Sequence, residues 1–173
     1  MKPFVILALP RTGTHMLCNA LKSHPDIDNV THEFKGSESE FMEHPQILSN
    51  YVKDWMSKYP TVHMYREDAC AGARSMLMMG YLFPDGVADL PENELLTLAN
   101  QRKQWDEEMR QVADYSFSYE SLLEGGIATI LPAAFSDRFC DHVGIERHTL
   151  TTTITKAFKI QLRNEDAIAC LVA

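Results

Sequence analysis

The chain opens on an uninterrupted apolar run, Phe4-Val5-Ile6-Leu7-Ala8-Leu9. A short run without polar alternation predicts a strand buried on both faces. Pro10-Arg11-Thr12-Gly13-Thr14 then forms a tight turn, after which the period changes. Leu17, Ala20, Leu21 and His24 recur at i, i+3, i+4 and i+7, the spacing of one helix face. Ser23-His24-Pro25-Asp26 stops that helix, and Ile27 to Phe34 reads as a second strand or an extended edge. Ser37 with Glu40 fits a capping box, which predicts a helix from about Glu38 to Lys58, divided at Pro45.

Thr61 to Arg66, rich in β-formers, predicts the next strand, and Asp68 can cap the helix after it. Ala69, Gly72, Ala73, Met76 and Leu77 share one face of that helix, and its small residues suit a close approach to the sheet. Gly80 to Pro91 reads as a loop. Glu92 to Val112 predicts a long amphipathic helix with Leu95, Leu98, Arg102, Trp105, Met109 and Val112 on one stripe. The charges along it (Arg102, Lys103, Asp106, Glu107, Glu108, Arg110) read most simply as a solvated face. Tyr115 to Tyr119 alternates as a strand does, and Glu120 to Glu124 suits one helical turn. Beyond it, Pro132 to Val143 and Glu165 to Leu171 suit helices, with His148 to Ile154 a loop or short strand. Strands alternating with helices predict an α/β fold: one three-layer domain over residues 1–173, with a mainly parallel central sheet flanked by helices.

Composition narrows the function classes. The 173 residues are 45% apolar and 23% charged, as in ordinary globular domains. A net charge of −8 argues against nucleic acid as a partner. The four cysteines (Cys18, Cys70, Cys140, Cys170) show no C-x-x-C spacing, so reduced thiols and a cytoplasmic setting are expected. The seven histidines show no metal-ligand spacing, so no metal is expected. The first apolar run is too short to cross a membrane and has no cleavage pattern after it, so no membrane partner is expected.

The candidate chemistry starts at the first turn. Strand, short turn and helix together aim backbone N–H groups and a helix N-terminus at an anion. Arg11 adds a fixed charge, and Thr12 and Thr14 add hydroxyls, so a phosphate or sulfate is the expected guest. The turn lacks the Gly-x-x-x-x-Gly-Lys-Ser/Thr of nucleotide triphosphatases, which disfavours a kinase or ATPase. Ligands of parallel sheets sit at the carboxyl ends of strands, where the Arg11–Thr14 turn, Glu33 and Arg66 all fall. Two cations and a carboxylate around an anion turn suggest group transfer.

These residues resemble the motifs of the sulfotransferase family, which uses 3′-phosphoadenosine 5′-phosphosulfate (PAPS). The resemblance runs through Pro10-Arg11-Thr12-Gly13-Thr14, Leu17-Cys18, Ser23-His24-Pro25-Asp26-Ile27 and His32-Glu33-Phe34. It continues through Tyr65-Arg66-Glu67-Asp68 with Ser75, Ser118-Tyr119-Glu120-Ser121-Leu122, the stretch from Leu131 to Ile145, and Asn164-Glu165-Asp166. The pattern is most similar to the bacterial carbohydrate branch, including trehalose-type enzymes.

The resemblance implies a P-loop-like domain and a set of roles. Arg11, Thr12, Gly13 and Thr14 would hold the 5′-phosphosulfate, with Arg11 at the leaving oxygen, where many cytosolic members carry Lys. Arg66 and Ser75 would hold the 3′-phosphate, and Glu33 would be the general base toward a small-molecule or carbohydrate hydroxyl. Alternatives stay open at several positions. His32 could be the base, Glu33 could pair with Arg11, and Ser75 could bond within its helix. His15 either touches the phosphosulfate or simply begins the helix, and Glu120 suits a structural role. The basic Arg-Lys-Gly nucleotide loop of cytosolic members is absent, leaving Lys156 and Lys159 as the nearby cations. Little sequence lies between Ser75 and Tyr115 for an acceptor lid. A non-catalytic anion-binding protein of the same fold is therefore the second reading.

Overall fold

A computed structural model describes residues 3–22, 24–27, 29–78, 92–120 and 141. Their elements are β1 (Phe4–Ala8), α1 (Thr14–Lys22), α2 (Glu38–Glu43), β2 (Gln46–Ser49), a 3-10 helix (Asp54–Lys58), β3 (Thr61–Tyr65), α3 (Ala69–Met78), α4 (Glu92–Val112) and β4 (Tyr115–Ser118). The expected helices and loops at 80–91, 121–124, 148–154 and 165–171, and all of 131–143 except residue 141, lie outside the described residues.

The sheet has four strands in the order β2-β1-β3-β4, all parallel. This is the α/β architecture that the alternation predicts. Every residue of β1 is buried, because its side chains feed two cores in turn. Phe4, Ile6 and Ala8 pack with Leu17 and Leu21 of α1 on one face. Val5 and Leu7 pack with Phe41, Met56 and Met109 on the other. The chain leaves β1 toward β2 on one side, then returns to build β3 and β4 on the other. The carboxyl ends of β1 and β3 therefore flank the point where the winding reverses, the place where open α/β sheets bind ligands.

One expected element is corrected, and for another the structure selects between two expected forms. The segment 38–58 is not a divided helix: α2 ends at Glu43, and Gln46–Ser49 is a buried strand. The capping box itself is present, with both Ser37 and Glu40 engaged. Beyond it Pro45 cannot continue the helix, and its carbonyl accepts the Phe4 N–H at 2.8 Å. Four residues are too few for period two to show. The segment 27–34 forms no named strand; it is the extended edge, joined to β2 by a single parallel bridge, Thr31 to Ile47. Thr31 and Phe34 donate to the Gln46 and Leu48 carbonyls, and Leu48 donates to the Thr31 carbonyl, so this segment caps the open edge of β2.

Two expectations about helix faces are also corrected. The small residues of α3 approach α4, not the sheet: Ala69 and Ala73 pack on Ala99, with Leu95 and Leu98 beside them. The charges of α4 are not all solvated, since Arg102 is 3% exposed and Asp106 5%. The helix lies between β3 and α3 and so buries more than its apolar stripe. Among the described residues no helix is long and apolar enough to cross a membrane.

The strand at 46–49 can be tested directly. Ile47→Ala removes a side chain that is fully buried and is expected to cost about 2–5 kcal/mol by urea unfolding. Leu96→Ala on the exposed side of α4 should stay within about 0.5 kcal/mol. Equal costs would place residue 47 on a surface helix instead.

Candidate functional site: an anion loop between a histidine–carboxylate group and an arginine group

The loop after β1 takes its shape from backbone strain and from carbonyl partners. Arg11 sits at φ 68° and Gly13 at φ 83°, both in the left-handed region. Glycine is required at 13, because a Cβ there would meet the Tyr119 ring at 2.6 Å. The carbonyls are taken up in turn: Thr12 Oγ1 donates to Leu9 O at 2.7 Å, Arg102 Nη1 to Pro10 O at 3.0 Å and Arg66 Nη1 to Arg11 O at 3.4 Å. Gly13 O starts α1 by accepting from Leu17 N at 3.1 Å. The backbone N–H groups of Arg11, Thr12, Gly13 and Thr14 have no partner among the described residues. Four adjacent N–H groups at the start of a helix form an anion cradle. Thr12 is fully buried and its hydroxyl proton is spent on Leu9, so its contribution to that cradle is the backbone N–H.

On one side of the loop stand Glu33 and the histidines. Ala8, Pro10, Thr14, His32, Glu33 and Asn50 line a small, open cleft at the carboxyl end of β1 and β2. Glu33 is exposed, with φ 56°. No ion pair between Glu33 and Arg11 forms among the described residues. His32 Nε2 lies 3.2 Å from Thr14 Oγ1, and its ring stacks on His15 at 4.2 Å between centroids. Burial holds the His32 imidazole below its ordinary value of 6.5; His15 adds to the fall and Glu33 opposes it. An imidazole that burial holds neutral and the exposed Glu33 side chain thus share one cleft. Asn50 completes it with a buried Oδ1 that has no partner among the described residues. Sequence reasoning missed Asn50 because residues 46–50 were assigned to a helix.

On the other side stand the arginines. Arg11 Nε donates to Ser75 Oγ at 2.9 Å, so Ser75 bonds toward the loop. Arg66 lies over the Tyr119 ring at 4.9 Å, and its Nε is buried without a hydrogen bond. Glu120 is 3.6 Å from that Nε. The same carboxylate accepts the backbone N–H groups of Glu67 at 2.9 Å and Asp68 at 3.4 Å, which positions the start of α3. Asp68 also caps α3 through the Ala71 N–H at 2.8 Å. Lys156 lies outside the described residues. Among the described residues no group of His, Cys, Asp or Glu is arranged to hold a metal ion.

Over 66 residues, 38% of the chain, the sequence is 36% identical to nodulation protein H of Rhizobium tropici. That stretch covers 21% of the relative's own length, so the chain spans about a fifth of the protein it matches. No family model matches the chain, and no solved structure matches it.

The cleft electrostatics give a titration test. The His32 midpoint by NMR is expected below 6.5. Glu33→Gln removes the opposing charge and should lower it further, while His15→Asn should raise it. A His32 midpoint at or above 6.5 would contradict the buried, neutral imidazole. Because the folded value is depressed, His32 contributes stability that is fully present above the unfolded value. That stability is lost as pH falls below about 6.5 toward the lower folded midpoint.

Proposed function

We propose that the chain is a sulfotransferase that moves a sulfuryl group from PAPS to the hydroxyl of a carbohydrate or small metabolite. One observation carries the reading. Among the described residues only two non-glycine residues hold positive φ, and they are Arg11 and Glu33. Left-handed backbone costs about 1–3 kcal/mol outside glycine, and it persists where a surrounding site over-determines it. The two strained residues are the ones that the family motifs assign to the leaving oxygen and to the acceptor. The partial likeness to nodulation protein H supports the same class of enzyme.

The chemistry follows from the two sides of the loop. The unpaired N–H groups of residues 11–14 suit the phosphosulfate, and the Arg66 guanidinium, whose Nε is ion-paired to Glu120 at 3.6 Å but makes no hydrogen bond, suits a second anionic group such as the 3′-phosphate. Arg11 and Ser75 are already joined across that side. The acceptor oxygen attacks sulfur while its proton passes to Glu33. The sulfur–oxygen bond to the 5′-phosphate breaks, and its electron pair stays on the phosphate oxygen. Arg11 and the loop N–H groups stabilise that charge as it develops. Neutral His32, bonded to Thr14, orients the acceptor side of the cleft. Lys156 is assigned to closing over the nucleotide.

Calorimetric titration with 3′-phosphoadenosine 5′-phosphate (PAP) and with ATP separates the classes. PAP is expected to bind and ATP to bind weakly or not at all; the reverse would make this a kinase-like site. Glu33→Gln should retain PAP affinity and lose transfer by roughly a hundredfold or more. Unchanged turnover in Glu33→Gln, with loss in His32→Asn, would move the base to His32. PAP binding without transfer to any hydroxyl acceptor would leave a binding protein.

A further inference from the structure

We propose that Arg102, from the middle of α4, is a positioning residue that sets the backbone of the anion loop. The inference rests on the reading of residues 11–14 as an anion site. Arg102 is 3% exposed and comes from an element 92 residues away in sequence, yet its Nη1 donates to Pro10 O at 3.0 Å. A trans peptide holds its N–H opposite its C=O. Fixing the Pro10 carbonyl toward Arg102 therefore turns the Arg11 N–H away from α4, and Arg66 on the Arg11 carbonyl does the same for Thr12.

The seat of Arg102 is built for it. Its guanidinium lies against Gly72 of α3, where a Cβ would come within 3.0 Å of Nε and Nη2. Both nitrogens are buried without hydrogen bonds, so at a desolvation cost the guanidinium is held through Nη1 alone, which donates to Pro10 O and to Met76 Sδ at 2.7 Å. Burial and the nearby charge of Arg66 both disfavour its charged form, while Asp106, one turn on, offsets them.

Three variants test this. Arg102→Met keeps the volume and removes the bond. Arg102→Lys keeps the charge. Gly72→Ala leaves every charge and displaces the guanidinium, although alanine favours a helix by about 1 kcal/mol over glycine. Amide chemical shifts and NMR order parameters at Arg11, Thr12, Gly13 and Thr14 are the first readout, and PAP affinity by calorimetry is the second. Arg102→Met and Gly72→Ala are expected to move the loop resonances and lower the loop order parameters beyond any change at β1. Both should weaken PAP by about tenfold, the loss of one charge-assisted bond, with Arg102→Lys between them and wild type. Loop order and PAP affinity like wild type in folded Arg102→Met would overturn the proposal. If Arg102→Met does not fold, Gly72→Ala decides alone: a more stable α3 with an unchanged loop overturns it. If wild type binds no PAP, the functional reading falls, and loop order still decides the role of Arg102.

Discussion

The structure depends on one peptide orientation. The loop after β1 can present its N–H groups only if its carbonyls find partners elsewhere, because a buried carbonyl without one costs as much as a lost hydrogen bond. Those partners come from three different places. Thr12 serves Leu9 locally, Arg66 comes from the end of β3, and Arg102 comes from α4. Strand order brings the end of β3 beside β1, and the close packing of α3 on α4 brings Arg102 within reach. Gly72 is where that packing and the loop meet, since a Cβ there would crowd the Arg102 guanidinium at 3.0 Å.

A second buried polar group holds α4 in position. His63 of β3 is fully buried, with Nε2 3.1 Å from Asp106 Oδ1 and Nδ1 3.3 Å from Ser116 Oγ of β4. Trp105 and Tyr65 pack against the same imidazole. Asp106 thus ties α4 to the sheet one turn from Arg102, which ties it to the loop. Such a linked set fixes the height of α4 along the sheet, because sliding by one turn would strand three polar groups in the core.

The architecture was legible because its signals are local. Phe4–Ala8 is a continuous apolar run, Glu92–Val112 keeps helical period over its full length, and Ser37 with Glu40 marks a helix start. The loop motif announces itself through Gly13, whose left-handed backbone and contact with Tyr119 leave no room for a side chain. What was not legible depends on distant partners. Gln46–Ser49 is too short for a period and becomes a strand because β1 and the 31–34 segment pair with it. Arg102 and Asp106 look like a solvated face, and distant partners (Pro10 O and Met76 Sδ for Arg102, His63 for Asp106) compensate their burial. Asn50 reaches the cleft only because Gln46–Ser49 is a strand, which the sequence pattern does not show.

The two flanks of the loop differ in the freedom of their charged groups. The arginine flank is already engaged: Arg11 on Ser75, Arg66 on a carbonyl and Arg102 on another. Its groups are held in one arrangement before any ligand arrives, which lowers the entropy lost on binding. The other flank holds an exposed Glu33 with no ion pair among the described residues and a histidine that burial keeps neutral. Groups with open acceptor capacity suit proton transfer better than anion binding. A rigid cationic side faces an unencumbered side that holds a carboxyl and an imidazole, with the loop's N–H groups between, and this asymmetry is what the proposed transfer from an anionic donor to a neutral hydroxyl would use. The left-handed backbones of Arg11 and Glu33 stand one on each side of it.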